Sequence, residues 1–347
     1  MKILVATDAW HPQVNGVVRT LGHVAREARA LGTDIEFLSP APYWTLPLPS
    51  YPEIRLALPK PGDIERRLEA ARADAIHIAT EGPIGHAVRR LCIRRGVPFT
   101  TSLHTRFPDY LAGRLPLPPQ WTEDVTWAWL RRFHEPGAAL LAATPTLGRE
   151  LTGRGFHDVT LWPRGVDAQA FRPRPDQVHA AVAHLPRPLF LTVGRVAVEK
   201  NVEAFLALDL PGTKVVVGDG PARAALAKRY ADAVFLGARH GDDLAALYAS
   251  ADVFVFPSLT DTFGLVLLEA LASGVPVAAF DADAPRDVMG AAPVGVRDAD
   301  LRRACLGALA CSRAACRDFA LGRTWAASAA MFVAAVLTAA GPQKKAA

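Results

Sequence analysis

The sequence predicts an α/β protein built of two tandem doubly wound, Rossmann-like domains facing a cleft, and three observations predict it. At 347 residues the chain exceeds the size at which one hydrophobic core stops growing, so two domains are expected. Short apolar runs alternate with amphipathic stretches in both halves, the pattern of parallel strands joined by helical crossovers. A proline-rich stretch, "WPRGVDAQAFRPRPD" (162–176), separates the two series. Pro163, Pro173 and Pro175 suit neither a helix interior nor a central strand, so it reads as the hinge. The expected divisions are 1–167, 168–320, and a C-terminal helical segment, 321–347, returning to the first domain.

The elements follow in order. "KILVAT" (2–7) is a strand by its continuous apolar and β-branched content. "VVRTLGHVAREARALG" (17–32) is a helix, with Val17, Leu21, Val24, Ala28 and Leu31 at helical spacing and Gly32 as the stop. Strands follow at 34–39, 74–80, 97–104, 137–144 and 159–163, with a helix over roughly 84–95. Past the hinge, strands are read at 189–194, 213–218, 233–237, 251–258 and 275–280. Helices fill the gaps, as in "PARAALAKRYA" (221–231) and "DDLAALYASA" (242–251). Ligands of such sheets sit at the carboxyl ends of the strands, and clefts between domains favour small molecules.

Composition narrows the function. Half the residues are apolar and 21% are charged, as in a folded domain. The net charge of +5 is modest and no reader motif is present, which argues against nucleic acid. Residues 1–172 hold most of that excess, +4 of the +5. The start, Met1–Val5, does not read as a signal peptide, and the uncharged run 324–343 is too rich in Ala, Ser and Thr for a membrane span, so a cytoplasmic protein is expected. Cys92, Cys305, Cys311 and Cys316 form no CxxC, so neither zinc nor a disulfide framework is indicated. There is no P-loop. At Gly218-Asp219-Gly220, Arg223 stands where a dinucleotide fingerprint has its third glycine, which disfavours an NAD oxidoreductase. "DAD" (281–283) reads as a solvated turn rather than a metal motif.

Four features are candidates for the site. Asn15-Gly16 precedes a helix whose N-terminus suits an anion, and reads equally as an ordinary turn. Arg195 and Lys200 follow a strand end, where they suit a diphosphate clamp; taken alone they read as a solvated loop paired by Glu199. His104 ends the fourth strand and either faces the cleft or is a structural histidine, while His77, mid-strand, reads as structural. In "SLTDTFGLVLLEALASGVPV" (258–277), Asp261 precedes a helix that starts near Phe263-Gly264 and ends at Ser273-Gly274. The first amides of that helix, near Gly264-Leu265, have no helical partner. Glu269, amid Leu267, Leu268 and Leu271, needs a partner or partial exposure.

Taken together these residues resemble the retaining glycosyltransferases of family four, which have the GT-B fold. The ordered set is Asn15-Gly16, "HTRF" (104–107), "RGVD" (164–167), "VGR…EKN" (194–201), "VGDGP" (217–221), "SADVFVFPS" (250–258) and the Asp261–Glu269 segment. The flavour is that of bacterial lipid glycosyltransferases, such as phosphatidylinositol mannosyltransferases and diacylglycerol glycosyltransferases. The resemblance implies an acceptor domain first and a nucleotide-sugar donor domain second. It implies that Arg195 and Lys200 hold the donor diphosphate with Gly16 presenting backbone, that Asp261 binds sugar hydroxyls, that Glu269 binds the ribose, that Phe263, Gly264 and Leu265 line the donor site, and that His104 lies beside the transferred sugar. The family's first acid is Glu; here it is Asp261, one methylene shorter. The implied reaction moves a hexosyl unit from a UDP- or GDP-sugar with retention, with no metal or other cofactor.

A lipid acceptor and an anionic membrane surface are the expected partners, at the inner face of the cell membrane. Arg90 and Arg94 lie one helical turn apart, and Trp121, Trp127 and Trp129 interleave with Arg131, a pattern suited to that surface; the plainer reading is a solvated Arg face with core tryptophans. The alternatives are a sugar-nucleotide epimerase of similar fold, a mannosyl- or glucosyltransferase acting on a soluble or polysaccharide acceptor, and a non-catalytic nucleotide-sugar binding module.

Overall fold

The computed structural model describes residues 1–13, 15–48, 51–60, 62–106, 108 and 118–341. Phe107 of the 104–107 stretch and residues 342–347 of the expected C-terminal segment lie outside the described residues. In chain order the elements are β1 (Lys2–Ala6), α1 (Gly16–Ala30), β2 (Asp34–Leu38), β3 (Trp44–Leu48), β4 (Tyr51–Leu58), α2 (Asp63–Ala71), β5 (Ala75–Ile78), α3 (Pro83–Arg95), β6 (Thr100–Leu103), α4 (Pro119–His134), β7 (Ala139–Ala142), α5 (Pro145–Gly153) and β8 (Val159–Leu161). They continue with β9 (Leu189–Val193), α6 (Val202–Leu206), β10 (Thr213–Val217), α7 (Arg223–Arg229), β11 (Val234–Gly237), α8 (Gly241–Ser250), β12 (Val253–Phe256), α9 (Leu265–Ala272), β13 (Val277–Phe280), α10 (Asp283–Met289), β14 (Gly295–Asp298), α11 (Leu301–Ala308), α12 (Arg313–Leu321) and α13 (Trp325–Ala340).

The chain divides into two compact units, Met1–Pro163 with the segment from Trp325, and Arg164–Thr324. The crossings lie at Pro163 and Thr324. Val166 donates its amide to the Arg323 carbonyl and bridges Thr324, which draws residues 164–167 into the second unit. No helix or strand runs through the proline-rich stretch after Leu161.

In the first unit the sheet order is β2-β1-β5-β6-β7-β8, and every pair is parallel. Its inner strands β5 and β6 are short and buried on both faces, which is why they read as unbroken runs rather than alternations. Leu4, Ile76, Ile78, Ile84, Val88, Leu91 and Phe133 share one core, each worth about 1.5–3 kcal/mol buried. On α1, Val18, Leu21, Val24 and Ala28 face inward at helical spacing. The last helix, α13, belongs here: Trp325 stacks on His23 at 4.7 Å, and Ser328 Oγ donates to the Pro163 carbonyl at 2.7 Å.

The antiparallel hairpin β3–β4 is absent from the sequence reading. Pro47 and Pro49 make it look like loop.

The second unit repeats the plan with the order β11-β10-β9-β12-β13-β14, again all parallel. Its core gathers Phe190, Phe205, Val216, Val253, Val255, Ala278 and Leu301. In each sheet the chain builds outward in one direction and then returns to build in the other. The reversal falls between β1 and β5 in the first unit and between β9 and β12 in the second. Such reversal points are where open α/β sheets hold ligands.

Candidate active site

The reversal point of the second unit carries the predicted donor residues. Among the described residues the β9–β12 register ends at Leu191–Phe254, before either strand does. The loop after β9 runs through Gly194 and Arg195 into a short 3-10 turn, Val198–Lys200. It is tied to the end of β12 by Asn201 Nδ2 donating to the Pro257 carbonyl at 3.1 Å and by Ser258 Oγ donating to the Glu199 carbonyl at 3.3 Å. These ties bring Lys200 Nζ into a direct ion pair with Asp261 Oδ1. Arg195 Nη1 lies 3.6 Å from Glu199 Oε1, a loose pair.

Gly264 introduces α9. Its φ of +78° is open to glycine at little cost, and an added Cβ would sit 3.0 Å from Phe256 Cζ and 3.1 Å from Leu267 Cδ1. The N-cap position is a glycine and supplies no side-chain cap of its own. Phe263 is buried beside it, while Leu265 is half-buried. Within α9, Glu269 is 3% exposed, so partial exposure does not account for it. Its support is Tyr248 on α8, fully buried, whose hydroxyl donates to Glu269 Oε2 at 3.0 Å. Tyr248 escaped the sequence reading. The signal available was the demand itself, since a carboxylate on an apolar helix requires a donor.

Two motifs find structural uses. Gly218 has φ +142°, and a Cβ there would fall 1.8 Å from the Gly194 carbonyl oxygen, so this glycine lets β10 close against the turn after β9. Asp281 and Asp283 are paired to Arg286, and Asp281 also to Arg297. Among the described residues no cluster of three or more His, Cys, Asp or Glu has the placement to hold a metal ion.

In the first unit, Gly16 is exposed at the start of α1. Asn15 caps that helix: its Oδ1 accepts from the Val17 and Val18 amides, both at 3.0 Å. Two first-turn amides are thus taken, and the anion-binding reading narrows to the Gly16 backbone. His104 is half-buried just past β6, with Nε2 2.8 Å from Ser102 Oγ and its ring edge-on to Trp162 at 5.8 Å.

A residue the sequence reading passed over occupies this unit's own reversal point. Asp8, just past β1, accepts from the Ile84 amide at 2.9 Å, the Gly85 amide at 3.2 Å and the Thr80 hydroxyl at 3.1 Å. Burial pushes its carboxyl up to about 6, against the pull of those bonds.

The basic and aromatic surface residues separate into two groups. Trp121 is 71% exposed and Trp129 39%, and with Val125 they recur every fourth residue along one side of α4. Trp127 falls on the opposite side and is a correction: it is 7% exposed, packs edge-on to Phe156, and has the Arg154 guanidinium 4.2 Å above it. Arg131 is exposed. On α3, Arg90 and Arg94 are exposed, with Arg94 3.9 Å from Glu65. The flanking arginines serve the fold: Arg89 donates to the Phe133 and Arg132 carbonyls, and Arg95 pairs with Glu65 and Glu69. Trp44 on the hairpin, unremarked in the sequence, is 85% exposed.

Comparison with known proteins settles the family. A domain model described as Glycosyltransferase Family 4 matches residues 14–170, and one described as Glycosyl transferases group 1 matches 187–310. A GDP-mannose-dependent alpha-mannosyltransferase of Mycobacterium tuberculosis (strain CDC 1551 / Oshkosh) is 33% identical over 83% of this chain and 81% of its own. The chain belongs to glycosyltransferase family 4. It is a glycosyltransferase of GT-B fold, with two parallel-sheet Rossmann-like domains. An alpha-monoglucosyldiacylglycerol synthase of Acholeplasma laidlawii is 24% identical over 80% of this chain and 79% of its own. Among solved structures, sucrose-phosphate synthase from Thermosynechococcus elongatus matches with a TM-score of 0.76 over 96% of this chain and 97% of that one, at 19% identity, a likeness of fold alone. No helix among the described residues is long and apolar enough to cross a membrane.

Proposed function

We propose that this glycosyltransferase is a retaining hexosyltransferase that moves a sugar from a UDP- or GDP-linked donor to a lipid hydroxyl without a metal ion, and that GDP-mannose is the first donor to test. The observation that carries the reading is the Lys200–Asp261 pair at the reversal point of the second sheet, beside the glycine-led start of α9. With no donor the two charges neutralise each other. A donor diphosphate competes for Lys200 and Arg195, and the released Asp261 accepts from sugar hydroxyls. Glu269, held by Tyr248, is the acceptor for ribose hydroxyls. Gly16 and His104 keep the roles the family resemblance implies, at the diphosphate and beside the transferred sugar.

In the reaction, the bond between the anomeric carbon and the diphosphate oxygen breaks as the acceptor oxygen bonds to the same face. The acceptor proton passes to the departing phosphate oxygen. Negative charge grows on the leaving group, so Lys200, Arg195 and the α9 amides stabilise the transition state more than the ground state. The donor choice is supported by the mannosyltransferase relative, which is named as GDP-mannose-dependent. The lipid choice is supported by the diacylglycerol-glucosylating relative and by exposed Trp121, Trp129, Arg90, Arg94 and Arg131, which suit an anionic membrane surface.

A thermal-shift screen of UDP-, GDP- and ADP-sugars is the direct test, because a ligand at a hundred times its dissociation constant adds about 2.7 kcal/mol. A shift with GDP-mannose, followed by transfer into vesicles of diacylglycerol and anionic phospholipid with the α-configuration kept, is the expected result. No shift with any nucleotide sugar sinks the donor site, a β-linked product sinks retention, and failure to float with anionic vesicles sinks the membrane acceptor.

A further inference from the structure

His77 lies in the middle of β5 and is wholly buried. Its cross-strand neighbour on β6 is Thr100, and Ser102 and His104 follow on the same face two and four residues on, by the period of a strand. The four side chains form one hydrogen-bonded line. His77 Nδ1 is 2.8 Å from Thr100 Oγ1, His77 Nε2 is 3.1 Å from Ser102 Oγ, and Ser102 Oγ is 2.8 Å from His104 Nε2. Aromatic rings wall the line. Phe332 of α13 stands edge-on to His77 at 4.9 Å, and Trp162 stands edge-on to both His77, at 6.1 Å, and His104, at 5.8 Å.

Proton counting makes this line directional. Each hydroxyl has one proton to give, and each neutral imidazole has one N–H and one lone pair. If Thr100 donates to His77 Nδ1, then His77 Nε2–H donates to Ser102, Ser102 donates to His104 Nε2, and His104 carries its proton on Nδ1. If the line runs the other way, His104 donates from Nε2 and its Nδ1 is the lone pair. Either sense satisfies every contact in the line with no net charge, and at its buried end, His77, Thr100 and Ser102, a charge is costly. The tautomer of His104 is therefore locked to the tautomer of a residue buried behind it.

We infer that His77 is a positioning residue for sugar transfer, acting through Ser102 to fix the ring plane and the tautomer of His104. The inference rests on the reading of His104 as the side chain beside the transferred sugar. His77 itself touches no substrate. Its contribution is to make His104 present one defined face, a donor or an acceptor, without a search among rotamers and tautomers in each turnover.

The test combines kinetics with histidine nitrogen NMR on the full chain. Ser102→Ala removes the bridge and is expected to lower kcat roughly tenfold to a hundredfold while the donor KM stays near wild type. The His104 ring signals, assigned with His104→Gln, are expected to change from one tautomer to a mixture. His77→Phe fills the same space without the bond and gives the same loss, and the double variant is no worse than either single one, because both break one line. His77→Gln, which keeps an amide toward Ser102, recovers most of the rate. Ser102→Ala with wild-type kcat and unchanged His104 signals overturns the proposal, and so do fully additive losses. Should His77→Phe not fold, Ser102→Ala and His77→Gln decide the matter alone. Wild-type transfer by His104→Ala would overturn the reading of His104 instead, while the NMR signals in Ser102→Ala would still report whether the line exists.

Discussion

In the first unit the reversal point between β1 and β5 is filled by the protein's own carboxylate. Asp8 takes the Ile84 and Gly85 amides, at the start of α3, and Gly82 sits so close that a Cβ there would fall 2.4 Å from Asp8 Cγ. In the second unit no carboxylate is seen on the α9 start at the equivalent point between β9 and β12 among the described residues. Gly264 leads into α9 without a side-chain cap of its own, and the nearby carboxylate, Asp261, is turned to Lys200. One topology thus yields two electrostatic states. An internal anion satisfies one helix start, whereas the other is left with amides and a cation whose present partner is exchangeable. On the proposed reading, this second helix start is the one that receives the donor diphosphate.

The largest effect should come from breaking the second state. Lys200→Ala removes the cation and is expected to cut turnover roughly a hundredfold or more, about 3 kcal/mol of transition-state stabilisation. Steady-state transfer and donor titration measure it. Wild-type turnover would mean that the Lys200–Asp261 pair is structural, like Asp8, and the contrast would collapse.

The internal plug has a pH signature. Burial raises the Asp8 carboxyl from its ordinary 3.8 to about 6, so the folded chain binds this proton more tightly than the unfolded chain. The stability tied to it is full below about pH 4 and is lost as pH rises through about 6, by up to about 3 kcal/mol. Asp8→Asn abolishes this dependence at a pH-independent cost from the misplaced amide. In denaturant titrations, wild type minus variant should therefore fall between pH 4 and pH 7. A difference that stays flat would show that Asp8 carries no burial penalty.

The two glycines sharpen the contrast at smaller cost. Gly264→Ala meets both a left-handed backbone and Phe256, and should cost about 1–2 kcal/mol together with donor affinity. Gly82→Ala displaces Asp8, and should cost stability with donor affinity intact. Equal donor effects from the two variants, measured by calorimetry, would erase the distinction between the plugged and the glycine-led start.

Much of this was legible in the sequence, and the rest fails for identifiable reasons. Alternating runs and caps placed the strands of both parallel sheets except β14, because periodicity and glycine stops are local signals, while the β3–β4 hairpin was missed. The Lys200–Asp261 meeting was not legible: it depends on β9 and β12 being neighbours, which sequence order does not state. Trp127 was misplaced because three tryptophans within nine residues read as one surface, whereas helical period separates Trp121 and Trp129 from Trp127. Asp8 carries no motif, and its partners lie more than seventy residues on. Ser102 and His77 each look like ordinary strand residues, and their line to His104 exists only across two strands.

The smallest predicted effect discriminates best between structure and function in the second unit. Tyr248 and Glu269 are both buried, and the phenol gives Glu269 Oε2 one 3.0 Å bond. Tyr248→Phe keeps the ring and its packing against Phe171 and Phe254, and removes that donor. A lost buried hydrogen bond costs about 1 kcal/mol of stability. If Glu269 served only the fold, activity of the folded variant would be unchanged. If Glu269 receives the ribose hydroxyls, the same deletion loosens its aim, and the donor KM should rise several-fold while kcat changes little, since ribose binding is shared by ground and transition states. Kinetics and melting of one variant therefore separate a buried carboxylate tolerated by the fold from one held ready for a ligand.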